Sequence, residues 1–457
     1  MDAPATTAPA ARRGAGLRAA MGSAGWLASE KLLRLVLAVA VGVWVARHLG
    51  PQAYGQLSLA LSWVALLGCC AWFGVGDTVT RAMVRDRSDE GRLLGSAFLL
   101  RCLGTALSLA ALGGALAAGL IPAELAPLVL VLAWMLPAGE LTGGIWLWFQ
   151  SHLRMGRAVM VKNVALLAGS LARLGVIAAG GGALAMAWTF VGEAAVVGLG
   201  LLLTYRLAGQ RLRQWRFDIR HARSLFVLSL PVLLSVMVAT LNTRLDQLLL
   251  GALVGTQEVG VYAAAVRFSE IWWQVPVLLM QSLAPGFLFA PGLRPARVER
   301  NVGWLMLALA GAALLPCLLL SVLGGNITGP LLGPAFAGSQ AVLAVHIWIA
   351  LFLFVDTAQN QWLLARGQQS VLISKSLSSL SVNGALGLLL VPTWGAVGAA
   401  IAALAAQVWA ALFFCWAFPS QQGLRALQRR AARSLWRAPR VLRWLSRRRQ
   451  TSVTEAA

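Results

Sequence analysis

The sequence predicts an all-α membrane protein with about twelve transmembrane helices, arranged as two six-helix bundles with both termini in the cytoplasm. Composition is the first reason. The 457 residues are 59% hydrophobic and 12% charged, with a mean hydropathy of +0.74, and a soluble domain cannot bury that much apolar surface. The second reason is that the apolar residues form runs of about 20, the length that a helix needs to cross a bilayer core. The third is a loop sequence that occurs twice, half a chain apart.

Apolar runs broken by glycine, proline or charge delimit the spans. The first run is much longer than the core of a signal peptide, and no small-residue cleavage site follows it, so residues 1–22 are interpreted as a cytosolic tail. Residues 23–206 form the first predicted bundle, 207–223 a basic cytoplasmic linker, and 224–418 the second bundle. The twelve predicted spans are 24–47, 53–76, 93–117, 126–148, 158–180, 183–204, 224–250, 259–284, 302–323, 339–363, 369–391 and 395–418.

The basic residues orient these spans. Of the 38 Lys and Arg residues, 29 fall in the two tails and in every second loop. Basic residues concentrate on the cytoplasmic side of a membrane, which places both termini there. The net charge of +22 is therefore explained by the basic residues on the cytoplasmic side of a membrane protein, and no nucleic-acid partner is expected. The longest loop on the opposite side, "GGNITGPLLGPAFAG" at 324–338, is too short for a periplasmic catalytic domain.

The duplicated loop joins the first two spans of each bundle. "RHLGPQAYGQLSLALS" (47–62) and "ALVGTQEVGVYAAAVR" (252–267) share two glycines and a glutamine at the same offset. "RMGR" (154–157) likewise corresponds to "ARGQ" (365–368), and "GALAMA" (182–187) to "GAVGAA" (395–400). Because six is even, both bundles begin on the same face. The repeat is parallel, as in transporters built from two rocking bundles.

Three longer stretches carry a family resemblance. "KLLRLVLAVAVGVWVARHLGPQAYGQLSLALS" (31–62), "GVGDTVTRAMVRD" (74–86) and "LLGPAFAGSQAVLAV" (331–345) resemble the polysaccharide flippase family of the multidrug/oligosaccharidyl-lipid/polysaccharide exporter superfamily. The resemblance covers residues from about 20 to 418. It implies a multi-pass protein of the bacterial inner membrane that carries undecaprenyl-diphosphate-linked oligosaccharide by alternating access, for lipopolysaccharide O-antigen or exopolysaccharide synthesis. A polysaccharide polymerase is an expected partner. The first, second, seventh and eighth spans would line a central cavity between two bundles in a V.

Basic residues inside the spans are the candidates for binding a lipid diphosphate. An intramembrane charge costs about 2.5–3.5 kcal/mol on insertion scales and usually faces the bundle interior or a hydrated cavity. Guanidinium groups bind phosphate oxygens in a bidentate manner. Structural pairing is the alternative, since Glu30 precedes Arg34 by four residues and Glu270 follows Arg267 by three. Near helix ends, snorkelling explains Lys31, Arg47, Lys162, Arg173 and Lys375. The predicted diphosphate ligands are Arg34, Arg244, Arg267, Arg101 and Lys31.

A second set of side chains is predicted to face the glycan or to couple transport to an ion. They are polar or aromatic, although an aromatic belt at the membrane surface is the alternative for the tryptophans. The sequence has no P-loop lysine and no GxSxG serine, so we expect no enzyme activity and no cofactor. An H+ or Na+ gradient would supply the driving force. The cysteines lie in apolar runs without metal-ligand spacing. The predicted residues are Asp246, Glu270, Glu140, Trp148, Gln150, Asp356, Asn360 and Gln361.

Residues 419–457 are too basic for a thirteenth span. Their leucines recur at helical spacing among arginines, which predicts an amphipathic helix, broken near Pro439, that lies on anionic lipid. Disorder is the alternative. The predicted lipid-facing residues are Leu424, Leu427, Ala431, Leu435, Leu442 and Leu445.

Three other functions remain open at this point. Lipid II flippases resemble this chain but generally carry two additional C-terminal spans. A drug/cation antiporter should favour acidic residues in its cavity, whereas the spans hold nine basic and six acidic residues. A membrane polymerase or ligase would need a sizeable periplasmic loop.

Overall fold

The computed structural model describes residues 10–72, 74–86, 89–140, 142–287 and 294–433, and these residues are helical apart from short connections. The predicted all-α class is therefore confirmed. The helices are α1 (Ala10–Trp72), α2 (Gly76–Arg85), α3 (Glu90–Ala117), α4 (Ala126–Ala133), α5 (Met135–Glu140), α6 (Gly143–Ser151), α7 (Met155–Ala178), α8 (Ala183–Leu207), α9 (Ile219–Leu253), α10 (Thr256–Glu270), α11 (Gln274–Phe287), α12 (Pro295–Leu332), α13 (Ser339–His346), α14 (Trp348–Ala365), α15 (Gln369–Val408) and α16 (Phe414–Ala417).

Nine helical segments within the described ranges are long and apolar enough to cross a membrane. This supports a multi-pass membrane protein. The segments are Gly25–Trp72, Glu90–Ala117, Ala123–Ser151, Met155–Ala178, Ala183–Leu207, Ile219–Leu253, Arg297–Leu332, Ser339–Ala365 and Gln369–Ala417.

Glycines interrupt the two longest of these segments. Gly50 has φ 71° and ψ 171° inside α1 and precedes Pro51. Gly395 has φ 53° and ψ −132° inside α15. Gly255, between α9 and α10, also has a positive φ, of 124°. Only glycine adopts such angles without strain, so these three residues are where the chain can leave one helix and enter the next.

The chain divides into two compact units, Met1–Ala263 (unit 1) and Ala264–Ala457 (unit 2). The division falls within α10, whereas the sequence predicts the boundary in the linker 207–223. The linker is held against the start of α3, where Arg216 N donates to Gly91 O at 2.9 Å and Ser96 Oγ donates to Asp218 O at 3.0 Å. Helix α9 packs against α1 and α3, which is why it belongs to unit 1.

The tail helix, residues 422–433, packs on unit 2. Leu424 and Leu427 are each 1% exposed. Gln428 Nε2 donates to Ala411 O at 2.8 Å, and Arg430 forms an ion pair with Glu299. The prediction that this apolar face lies on lipid is wrong for Leu424, Leu427 and Ala431, because protein already covers it. Pro439, Leu435, Leu442 and Leu445 lie outside the described residues.

Candidate functional site

The first cluster of predicted ligands lies on α1. Arg34 Nη2 is 3.0 Å from Glu30 Oε1, and the Arg34 side chain is 49% exposed while that of Glu30 is 11% exposed. The pairing is the one that the four-residue spacing predicts. Lys31 is half-buried, and no carboxylate within the described ranges forms an ion pair with it. One guanidinium held by a single carboxylate leaves most of its donors available for a ligand.

Arg244 and Asp246 lie near the end of α9 and have different surroundings. Asp246 is 7% exposed, and its Oδ2 accepts a hydrogen bond from the Tyr262 hydroxyl at 2.8 Å. Arg244 is half-buried, and nothing in the described part of the chain pairs with its guanidinium. Residues two apart on a helix do not face each other. Asp246 is therefore held from α10, whereas the N–H donors of the Arg244 guanidinium have no hydrogen-bond partner among the residues that the structure describes.

Arg101 is a packing residue of unit 1. It is 3% exposed, and its guanidinium covers Gly143 so closely that a Cβ there would lie 2.8 Å from Arg101 Nε. Another interior pair of this unit joins Arg173 Nη2 to Glu193 Oε2 at 2.6 Å. Arg101 thus has little surface to offer a ligand in this arrangement. The side chain of Glu140 lies outside what the structure describes.

Arg267 and Glu270 lie in the last turn of α10, within unit 2, and both are half-buried. Ser269, between them, is fully buried. Its hydroxyl is 2.6 Å from His346 Nδ1, and the Trp273 ring stacks on that imidazole with centroids 5.9 Å apart. This contact fixes the end of α10 against α13 and so sets the position of Arg267. The sequence does not reveal this contact, because Ser269 and His346 are far apart in the chain.

A buried polar cluster in unit 2 brings together Asp356 and Asn360 of α14 with Lys375 of α15. Lys375, 3% exposed, forms an ion pair with Asp356. Its Nζ also donates to Asn360 Oδ1 at 3.0 Å and to Gln359 Oε1 at 3.3 Å. Asn360 Nδ2 donates in turn to Asp356 Oδ2 at 2.9 Å. Gln361, by contrast, is half-buried and outside this network.

This cluster differs from the sequence-based interpretation of its lysine. Lys375 was expected to extend to the membrane surface, whereas its ammonium is held by three oxygens inside unit 2. The positions of Asp356 and Lys375 in the sequence could have indicated this ion pair. Asp356 and Lys375 are at similar distances from the α14–α15 turn, so an antiparallel pair of helices places them at the same depth.

Trp148 belongs to the aromatic core of unit 1 rather than to a membrane-surface belt. It is 3% exposed, stacks on His152 with centroids 4.4 Å apart and meets Tyr205 edge-on at 5.3 Å. Trp215 of the linker closes this cluster, because its Nε1 donates to the Tyr205 hydroxyl at 3.0 Å. No ring face of Trp148 is therefore open to a sugar. Gln150, two residues on, is half-buried.

The described residues contain no group of three or more His, Cys, Asp or Glu side chains that could hold a metal ion. The basic and amide side chains above can donate hydrogen bonds to anionic or hydroxyl-rich groups.

The family whose members are described as polysaccharide biosynthesis protein matches residues 21–287 of this chain. The probable flippase AglR of Haloferax volcanii is 28% identical over 163 residues. That match covers 35% of this chain and 34% of AglR, so the aligned part spans about a third of the relative.

Solved structures show the same fold. An inward-facing multidrug resistance MATE family transporter of the MOP superfamily has a TM-score of 0.68 at 15% identity, covering 89% of this chain and 99% of that one. The lipid II flippase MurJ, in an inward closed conformation, has a TM-score of 0.64 at 11% identity and covers 91% of each chain. The helices of this chain thus have the same fold as these two proteins.

Proposed function

Because this chain belongs to the polysaccharide biosynthesis protein family, we propose that it flips undecaprenyl-diphosphate-linked oligosaccharide across the bacterial inner membrane. The product would serve surface polysaccharide synthesis, and transport would proceed by alternating access without catalysis. The likeness to a probable flippase and the transporter fold support this proposal. A diphosphate and a glycan cannot cross hydrocarbon unaided, so polar groups inside apolar helices would have to shelter them.

Twelve spans with both termini in the cytoplasm are part of the proposal. Two of the nine candidate segments contain a non-helical glycine, at Gly50 and Gly395, and each would divide there into two spans. Helices α10 and α11, separated only by a short 3-10 turn at Ile271–Trp273, would form one more span. The total then reaches twelve, and the alternating basic loops of the sequence orient it.

The observation that carries the proposal is the state of Arg244. A half-buried guanidinium on a membrane-spanning helix, without a partner in the described residues, is costly unless it faces water or a ligand. A substrate diphosphate would supply the missing oxygens. Arg34 and Lys31, on the same unit as Arg244, would complete the headgroup site, and Arg267, which belongs to unit 2, stays a separate candidate ligand. Arg101 is left out of it because packing covers its guanidinium.

Coupling to an H+ or Na+ gradient is the proposed energy source, with Asp246 as the coupling carboxylate. It lies two residues from Arg244, and its Oδ2 accepts a hydrogen bond from the Tyr262 hydroxyl. Protonation or cation binding at this carboxylate would change the local charge beside the headgroup site. Release of the Tyr262 hydroxyl would follow.

A complementation assay tests the proposal. Cells lacking the gene would express Arg244→Ala, Arg244→Lys or the control Arg47→Ala, and surface polysaccharide would be scored against membrane protein level. Loss of a charge-assisted contact worth about 1.5–3 kcal/mol lowers transport about ten- to a hundredfold if the contact forms chiefly with bound substrate. Lys should rescue only in part because it lacks the planar fork. Arg47, exposed at a helix end, should tolerate Ala.

The same assay separates the alternatives. Normal polysaccharide from a well-expressed Arg34→Ala, Arg244→Ala double variant would refute the headgroup site. Loss of viability with intact surface polysaccharide would indicate lipid II transport. Loss of drug resistance alone would indicate an antiporter.

A further inference from the structure

The two copies of the duplicated loop are in direct contact. A Cβ on Gly55 would overlap the Thr256 carbonyl oxygen and lie 2.8 Å from Gly260 N. A Cβ on Gly260 would overlap the Pro51 carbonyl oxygen and lie 2.7 Å from Pro51 C. Real Cβ atoms do not approach other atoms that closely. Each repeated glycine therefore makes room for the backbone of the other copy, and the contact is reciprocal.

The contact continues along one face of α1. The Leu59 side chain covers Gly251, whose added Cβ would lie 2.9 Å from Leu59 Cδ1. Farther along, the Ser62 hydroxyl donates to Gln247 Oε1 at 2.6 Å, and these two residues are 0% and 7% exposed. We call this set the outer zipper: Pro51, Gly55, Leu59 and Ser62 of α1 against Gln247, Gly251, Thr256 and Gly260 of α9 and α10.

The membrane side of the outer zipper follows from charge. The loops between the predicted spans alternate between loops with basic residues and loops without them. The duplicated loops are of the second kind, apart from Arg47 at a helix end, so they lie on the side opposite the cytoplasm. Residues 51–62 extend about 16 Å along a helix at 1.5 Å per residue. That is roughly half of a hydrocarbon core of about 30 Å, so the outer zipper seals the non-cytoplasmic half of the membrane where these helices meet.

We infer that the outer zipper is the outer gate of the transporter, closed in this structure and required to separate before the oligosaccharide can leave. The inference rests on the proposed function. It also explains the duplication: a parallel repeat brings equivalent loops to one membrane face, and each loop needs a glycine where it crosses the other. Close packing and a neutral hydrogen bond suit a contact that must open and close repeatedly, since such bonds have a small net strength.

The first experiment measures the gate without substrate. In a cysteine-free variant reconstituted in lipid nanodiscs, spin labels at Gln52→Cys and Gln257→Cys, both exposed, report the distance between the loops. Overpacking by one methyl in Gly55→Ala should raise the long-distance population about fivefold to a hundredfold. The control is Gly192→Ala, a helical position where a Cβ meets nothing within 4 Å. A folded Gly55→Ala protein with the unaltered distance distribution would overturn the inference.

The second experiment locks the gate, and it does not depend on Gly55→Ala folding. Ser62→Cys with Gln247→Cys is joined in cells by a short bifunctional thiol reagent with a reducible linkage. Polysaccharide export should stop and should resume after reduction, while each single-cysteine variant exports throughout. Normal export by fully cross-linked protein would show that this contact never opens during transport.

The two proposals fail in different ways. If deletion of the gene leaves surface polysaccharide intact, the proposed substrate is wrong, whereas the label distances still report whether the outer zipper opens. If polysaccharide is lost on deletion but the loops never separate, the gate is wrong and the flippase function stands.

Discussion

Replacing Lys375 by Met should destabilise unit 2 because it leaves Asp356 buried without its cation. Lys375 is 3% exposed and Asp356 8%, and the ammonium donates to Asn360 and Gln359 as well. Removing one member of a buried pair costs about 3–5 kcal/mol. The Arg34–Glu30 pair provides the contrast: since the Arg34 side chain is 49% exposed, Arg34→Ala should cost at most about 1 kcal/mol.

The assay is denaturant unfolding of purified protein in detergent, run as a double-mutant cycle. Lys375→Met and Asp356→Asn should each unfold at lower denaturant concentration than the unaltered protein. The double variant should lose clearly less stability than the two single losses added together, because each single variant strands the other's charge. If Lys375→Met unfolds at the same denaturant concentration as the unaltered protein, or if the losses of stability in the two single variants simply add in the double variant, then the buried pair does not stabilise unit 2.

Three further predictions follow from packing and topology. Gly143→Ala should lower the free energy of unfolding by about 1–3 kcal/mol in the same assay, because its Cβ would collide with Arg101. The control Gly175→Ala, where nothing lies within 4 Å of the added Cβ, should not lower it. Equal losses of stability in the two variants would contradict the geometry. Deletion after Phe418 should lower the unfolding midpoint of unit 2 by exposing the surface that the tail helix covers; an unchanged midpoint would show that the tail helix adds nothing. A cysteine placed at Gln214 should not react with a membrane-impermeant thiol reagent in intact spheroplasts, because the linker is predicted to be cytoplasmic. Labelling of this cysteine would show that the topology is the inverse of the predicted one.

The sequence predicted what depends on local periodicity. Runs of about 20 apolar residues identified the membrane-spanning helices because the bilayer thickness fixes their length. The four-residue spacing of Glu30 and Arg34 predicted their ion pair, which the structure places at 3.0 Å, since helix geometry alone brings such residues together. The repeated glycines at 50 and 255 marked chain reversals, and both have a positive φ.

Predictions that considered each helix by itself in lipid, without its neighbouring helices, were less successful. Lys375 looked like a snorkelling residue because only its depth along its own helix was visible. The sequence predicts that Trp148 faces the glycan or, alternatively, the membrane surface, because Tyr205 and Trp215, which enclose it, come from other segments. The apolar face of the tail helix could be covered equally well by lipid or by protein, and Leu424 shows that protein covers it.

The sequence by itself therefore determined the all-α class, the membrane as solvent and the existence of a repeat, because hydrophobic length, charge asymmetry and glycine placement are local properties of the chain. Only the tertiary structure decided which intramembrane charges are satisfied, as Lys375 is, and which have donors without a partner among the described residues, as Arg244 does. It alone showed that Gly55 and Gly260 meet. Partners far apart in sequence are chosen by helix packing, and no periodicity within one helix records which neighbour it will face.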